Sequence, residues 1–254
     1  MLATADAVVQ LSTRRKRTGN GWNTPFIGKN RNTIGTDTPP PLDQIYPMAF
    51  LVEKDAGAVV KPHFHIADQY QVVVQGGGSL GKHAIGTVAV HYTDAYSAYG
   101  PIVADERGVS WFTLRNTWDF GAKYMPEHRA ELRDARSKIA HREATCGPLP
   151  PLSVAELAAL NAVKSEAVIE ETADGLGTWR YTVPAGQSVT GPAPSTGGGQ
   201  YWLVSAGSAS APGGDLLPPQ SLVFVGPDEA ASVMTAGPGG ADLICMQFPR
   251  RARD

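Results

Sequence analysis

The stretch Gln69-Tyr70-Gln71-Val72-Val73-Val74-Gln75-Gly76 returns 131 residues later as Gln200-Tyr201-Trp202-Leu203-Val204-Ser205-Ala206-Gly207, with the Gln-Tyr start, a central Val and the closing Gly retained. At almost the same offset, Trp111-Phe112-Thr113-Leu114 has a counterpart in Leu243-Ile244-Cys245-Met246. Two strand-like segments repeated together at one spacing predict a duplicated β-barrel.

The punctuation of the chain agrees. Gly 28 and Pro 20 among 254 residues, without a collagen-like period, predict many turns between short segments. Runs prone to β structure fall at residues 49–53, 69–74, 87–92 and 110–114, each bounded by Gly, Pro or Asp. The expected class is all-β: residues 1–42 lead in, 43–120 form a first barrel, 121–165 a helical connection and 166–254 a second barrel. Within the connection, residues 126–144 carry charges throughout, with Leu132, Ala135 and Ile139 at spacings of three and four. This predicts a helix with a solvated outer face over the first barrel. Residues 146–151 read as a linker, and Ser153 with Glu156 as the capping box of a short helix through residue 160.

Charge removes some function classes. With 22 Lys+Arg against 24 Asp+Glu there is no bulk handle for nucleic acid or an anionic membrane. Cys146 and Cys245 lack a CxxC partner, so neither a zinc cluster nor a disulfide framework is expected. The basic run Arg14-Arg15-Lys16-Arg17 follows rather than precedes the apolar N-terminal residues, the wrong order for a secretory signal, and reads as a solvated charge run on a frayed terminus. No apolar run approaches the ~20 residues that span a bilayer. The expectation is a cytoplasmic protein, monomer or homodimer, acting on a small-molecule substrate, with no nucleic-acid or membrane partner.

Candidate chemistry concentrates in Gly57-Ala58-Val59-Val60-Lys61-Pro62-His63-Phe64-His65-Ile66-Ala67-Asp68-Gln69. On a strand, residues i and i+2 share a face, so His63 and His65 project together into a barrel lumen, where two neutral imidazoles can grip one metal ion. Pro62 holds its neighbour extended, and Gln69 opens the returning strand near enough to offer an oxygen ligand. His91, at the end of the run 87–92, is the other nearby histidine able to face inward and stands as a reserve ligand.

These residues resemble the first motif of the cupin superfamily: Gly, five residues, His, one residue, His, three or four residues, Glu, six residues, Gly. The chain keeps each spacing from Gly57 through His63, His65 and position 69 to Gly76, with Gln69 in place of the carboxylate. In the weaker second motif, Asp94 to Pro101 puts Tyr99 where a third histidine would stand. The echo in the second half has Gly186 for Gly57, Pro192 and Pro194 near the places of the two histidines, and Ala230 at that of Tyr99. It is similar to the structural half of a bicupin that has lost its ligands. The resemblance implies jelly-roll barrels and a mononuclear divalent metal (Fe, Mn, Ni or Zn) at His63 and His65, with position 69, here Gln69, as a further ligand and His91 held in reserve. It also implies an oxidoreductase of the dioxygenase type.

A neutral amide and a phenol in place of Glu and His hold a divalent ion more loosely. Gln69 either ligates or hydrogen-bonds across the lumen. Tyr99 ligates, serves as a general acid/base, or packs in the wall. Arg115 either binds a substrate carboxylate or pairs with a structural Asp such as Asp119. Two alternatives stand beside the metal enzyme: metal-independent isomerase or lyase chemistry with a lumen histidine as base and Tyr99 as acid, and a barrel that binds a small ligand without turnover. Phe64, Tyr99 and Trp111 are expected to line the mouth.

Overall fold

The structure is a computed structural model and describes residues 1–29, 38–136 and 141–250. The chain divides into two compact units, Arg14–Leu149 and Met1–Thr13 with Pro150–Asp254.

In the first unit one antiparallel sheet runs, neighbour to neighbour, through Glu143–Cys146, Val90–Thr93, Gln69–Leu80, Ile102–Thr117, Ile45–Lys54, Gly21–Ile27 and Lys16–Arg17. Val59–Val60 adds to Ile102–Thr117, His83–Gly86 adds to Gln69–Leu80, and His63–Phe64 pairs with Lys123–Tyr124. In the second unit the order is Leu2–Ala5, Leu222–Val225, Gln200–Ser210, Val233–Gln247, Gly177–Val183 and Lys164–Ile169, with Ser188–Thr190 on Val233–Gln247.

The sequence repeat is the central strand pair of each sheet, in the same register. Leu114 stands opposite Tyr70 and Met246 opposite Tyr201; Trp111 faces Val73 and Leu243 faces Val204. The closing glycine of the repeat has a steric cause in both copies. Gly76 and Gly207 both sit at φ +71°, where a Cβ would come within 2.0 Å of the Gly108 carbonyl oxygen and 2.1 Å of that of Gly240. Only glycine lets the partner strand approach that closely.

The division differs from the expected one at both seams. Residues 1–42 are not one lead-in segment: Leu2–Ala5 is an edge strand of the second sheet, and Gly21–Ile27 belongs to the first. The basic run is no frayed terminus. Arg15 donates to Glu53 at 2.8 and 2.9 Å, and Arg17 holds Asp55 at 2.5 and 3.0 Å. In the connection the helix is Arg129–Arg136, shorter than the expected 126–144, and Ile139 lies outside the described residues. Ala144 sits in a strand that covers the edge of Val90–Thr93, because an open edge otherwise leaves unpaired amides. The capping box forms as expected, with Ser153 and Glu156 satisfying each other's backbone N–H at the start of Val154–Ala158.

The lumen of the second barrel is filled with side chains. Trp202 stacks on Tyr181 with centroids 5.3 Å apart and packs with Met234, Leu243 and Cys245. Gly191 makes room for the indole, since a Cβ there would lie 2.2 Å from Trp202. Trp202 occupies the repeat position of Gln71, whose side chain in the first barrel lines a cavity instead.

Candidate functional site

Strand alternation builds the cavity of the first barrel. Met48, Phe50, Val52 and Lys54 from one strand and Trp111, Thr113 and Arg115 from its neighbour face inward, around a space of about 1000 Å³. His63 and His65 line it from an adjacent segment, as the alternation predicts, with ring centroids 5.2 Å apart. Phe64, between them, turns the other way, is fully buried and packs toward Tyr96, so it does not line the mouth as expected. Tyr99 and Trp111 do line the cavity.

Tyr99 is brought to His63 by a two-way backbone bridge, His63 N to Tyr99 O at 3.2 Å and Tyr99 N to His63 O at 3.0 Å. The side chains continue the link into a chain of hydrogen bonds whose direction is fixed at both ends. Arg115, which can only donate, gives Nε and Nη2 to Gln69 Oε1 at 3.0 and 2.6 Å. Gln69 Nε2 donates to the Tyr99 hydroxyl at 2.7 Å. The Tyr99 hydrogen is then left for His63 Nε2 at 2.9 Å, and His63 Nδ1 donates to the Lys61 carbonyl at 2.8 Å. His63 is therefore the neutral Nδ1–H tautomer. Burial, with the neighbouring His65, lowers its pKa to about 4.

His65 Nδ1 donates to Asp119 Oδ1 at 2.8 Å, which leaves Nε2 as its acceptor, 3.2 Å from Arg115 Nη2. Burial first, then the guanidinium, lowers the His65 pKa. Burial pushes the Asp119 carboxyl up, but Arg115 and His65, together with the Gly121 amide, outweigh it and hold the group well below the usual carboxylate range. Burial likewise holds the Tyr99 phenol above its ordinary value.

His91 does not join this cluster of ligating atoms. Its ring lies behind Tyr99, 5.4 Å between centroids, and its Nδ1 bonds Thr145 Oγ1 at 2.9 Å. It lines a separate void of about 10 Å³ beside Gln71, because its strand pairs Gln71 with His91 and places both on the same side of the sheet. Arg115 was open between two roles in the sequence; here it meets Asp119 at 3.3 Å and also spans Gln69 and His65. Tyr124, 5.5 Å from His63, went unrecognised, since its strand is two residues long and carries no periodicity.

A divalent ion is what the motif implies, and the donor set can be tested against it. Arg115 places a fixed positive charge against His65. Gln69 Oε1 already accepts twice from that guanidinium, and the one nearby carboxylate, Asp119, is shared by Arg115 and His65. Among the described residues no group of three or more His, Cys, Asp or Glu is arranged to hold a metal. The arrangement present does not fit a resident divalent cation, because a second positive charge would lie beside the guanidinium, and the carboxylate bonded to His65 is already shared with it.

No family model matches the chain, and no curated protein sequence does. Solved structures do match over nearly all of it. The bacterial pirin YhhW of Escherichia coli, solved with nickel(II), is 10% identical with TM-score 0.56, covering 99% of this chain and 100% of that one. The coconut allergen cocosin is 12% identical with TM-score 0.58, over 98% and 86%. Bacillus subtilis oxalate decarboxylase, solved for its Mn(II) centres, is 11% identical with TM-score 0.57, over 99% and 78%. No helix among the described residues is long and apolar enough to cross a membrane. With two sheets of one design and one register, each closing on its own core, the chain has the fold of the cupin superfamily in its two-barrel, bicupin form.

Proposed function

We propose that the first barrel binds a small organic anion and moves a proton on it without a metal, in isomerase or lyase chemistry, with His63 as base, Tyr99 as acid and Arg115 holding negative charge. The observation that carries this reading is the one-way chain from Arg115 through Gln69 and Tyr99 to His63, which ends on the Lys61 carbonyl. It holds a hydroxyl hydrogen and an imidazole lone pair at one point of the cavity wall, bonded to each other until a substrate comes between them and takes the hydrogen from Tyr99 while giving its own to His63. An imidazole with a pKa near 4 is a weak base at neutral pH. An anionic substrate raises it, because a negative charge within a few ångströms favours the imidazolium. The substrate's own charge thus strengthens the base that acts on it, and Arg115 stabilises the charge that develops.

A second reading has one specific observation in its favour: His63 and His65 project together, as in a metal-holding cupin, and two of the fold's relatives were solved with nickel or manganese. In it His63 and His65 bind a divalent metal and the reaction is a dioxygenase-type oxidation. It requires Arg115 to leave His65.

One pair of experiments separates the two. Elemental analysis is made of protein purified without tag or chelator, for wild type and for the His63→Ala, His65→Ala double variant. Proton NMR in D₂O then follows exchange of α-hydrogens in a panel of keto acids and hydroxy acids. Exchange that survives chelation and is lost in Tyr99→Phe supports the proposal. Near-stoichiometric metal in the wild type alone overturns it in favour of the second reading.

A further inference from the structure

The mouth of the first barrel carries both ion-paired side chains and lysines. Arg15, Arg17, Glu53 and Asp55 pair with one another, Arg15 with Glu53 and Arg17 with Asp55. The residues between them, Lys16 and Lys54, line the cavity, and no ion pair is formed by either among the described residues. Lys54 is half-buried and makes a hydrogen bond to Asn20 at 3.0 Å. Lys61 lines the same space. In all, the lining carries five Lys or Arg against two Asp or Glu; Arg17 is paired with Asp55 and Arg115 with Asp119, which leaves Lys16, Lys54 and Lys61 against Glu127, in a chain whose formal charge is −2. Excess positive charge gathered in a cleft of an acidic protein concentrates anions there.

Depth is set by the register. Arg115 stands opposite Met48 and Val109 opposite Lys54, so the two cationic ends lie six residues of strand apart, about 20 Å. Between them the inward residues of these two strands are Phe50, Val52, Trp111 and Thr113, apolar but for the threonine, whose hydroxyl accepts from the Trp111 indole at 3.2 Å. The order from the mouth is cation, a largely apolar wall, then the buried polar cluster of His63, Tyr99 and Arg115.

We infer that Lys16 and Lys54 form an anion-binding rim, and that the molecule taken up is an elongated organic anion with one charged group at this rim, an apolar middle, and its other end at His63, Tyr99 and Arg115. What happens at the buried polar cluster rests on the proton-transfer reading above; the rim does not.

Isothermal titration of the full chain at low salt tests this with straight-chain dicarboxylates of increasing length and their monomethyl esters. The expected result is affinity that rises with chain length, falls about tenfold in the ester, and falls about tenfold in the Lys16→Gln, Lys54→Gln double variant. A control of equal charge change outside the cavity, Lys82→Gln with Arg107→Gln, keeps wild-type affinity. In the wild type, added salt weakens the diacid more than the ester, a readout that needs no variant. Equal binding of diacid and ester, equal binding by the lysine variant and wild type, an equal loss in the control, or no binding of any diacid overturns the inference. Rim-dependent binding without α-proton exchange removes the proposed chemistry and leaves the rim. Exchange without dependence on the lysines does the reverse.

Discussion

Arg115 donates to Gln69 at 2.6 Å, and the second barrel fills the same two places with Gln247 and Gln200, joined at 2.9 Å. The glutamine at position 69 recurs as Gln200, so Gln69 is in the first place a cross-strand bonding partner. What distinguishes the first barrel is the guanidinium opposite it, which has Asp119 as counter-charge and lies against His65.

Arg115→Met is expected to destabilise the protein by about 3–5 kcal/mol at neutral pH, because it leaves Asp119 buried without its guanidinium. Adding Asp119→Asn should recover most of the loss. Urea titration followed by tryptophan fluorescence measures both, and a loss under 1 kcal/mol for the single variant would show that the pair is not the main counter-charge.

Tyr99→Phe removes the hydroxyl that links Gln69 to His63 and leaves two buried polar atoms without that partner. A cost of about 1–3 kcal/mol follows. In ¹⁵N NMR the wild-type His63 should carry its hydrogen on Nδ1. Gln69→Glu should perturb the Nε2 signal, since a carboxylate cannot donate to Tyr99 and instead draws its hydroxyl hydrogen away from the imidazole. An unchanged His63 spectrum in Gln69→Glu would break the proposed direction of the chain.

Acid should unfold one unit before the other. All six histidines lie in Arg14–Leu149, and burial depresses His63 and His91 to about 4 and lowers His65 as well. The folded state disfavours these protons, so the unfolded chain takes them up at higher pH. The stability tied to them is fully present above about pH 6.5 and is lost as pH falls toward 4, on the order of 3 kcal/mol for each of His63 and His91. Asp119 adds a further loss below the ordinary carboxylate range, in the same direction. Hydrogen exchange read by mass spectrometry at pH 7 and pH 4.5 should show protection lost in peptides of 14–149 and kept in those of 150–250. Equal loss in both would mean that the buried histidines do not govern acid stability.

Gly191→Ala should destabilise the second unit by about 1–3 kcal/mol through overpacking against Trp202. Thermal melts followed by near-UV circular dichroism report it directly. A neutral outcome would mean that the indole does not fill that lumen.

The repeat, the all-β class, the capping box at Ser153 and the shared face of His63 and His65 were legible in the sequence, because each depends on contacts a few residues apart or on the period-two alternation of a strand. Alternation says which residues travel together; it does not say which side of the sheet becomes the lumen, or what stands across it. Those are settled by register between segments far apart in the chain. Pairing His91 with Gln71 put that histidine in a void behind Tyr99, although it was a plausible ligand by spacing. Setting Arg115 across from Gln69 and four residues before Asp119 brought a fixed charge against His65 where the motif alone implies a metal. Leu2–Ala5 shows the same limit at the level of the fold: four residues with no pattern of their own become an edge strand because Leu222–Val225 offers unpaired amides more than 200 residues away.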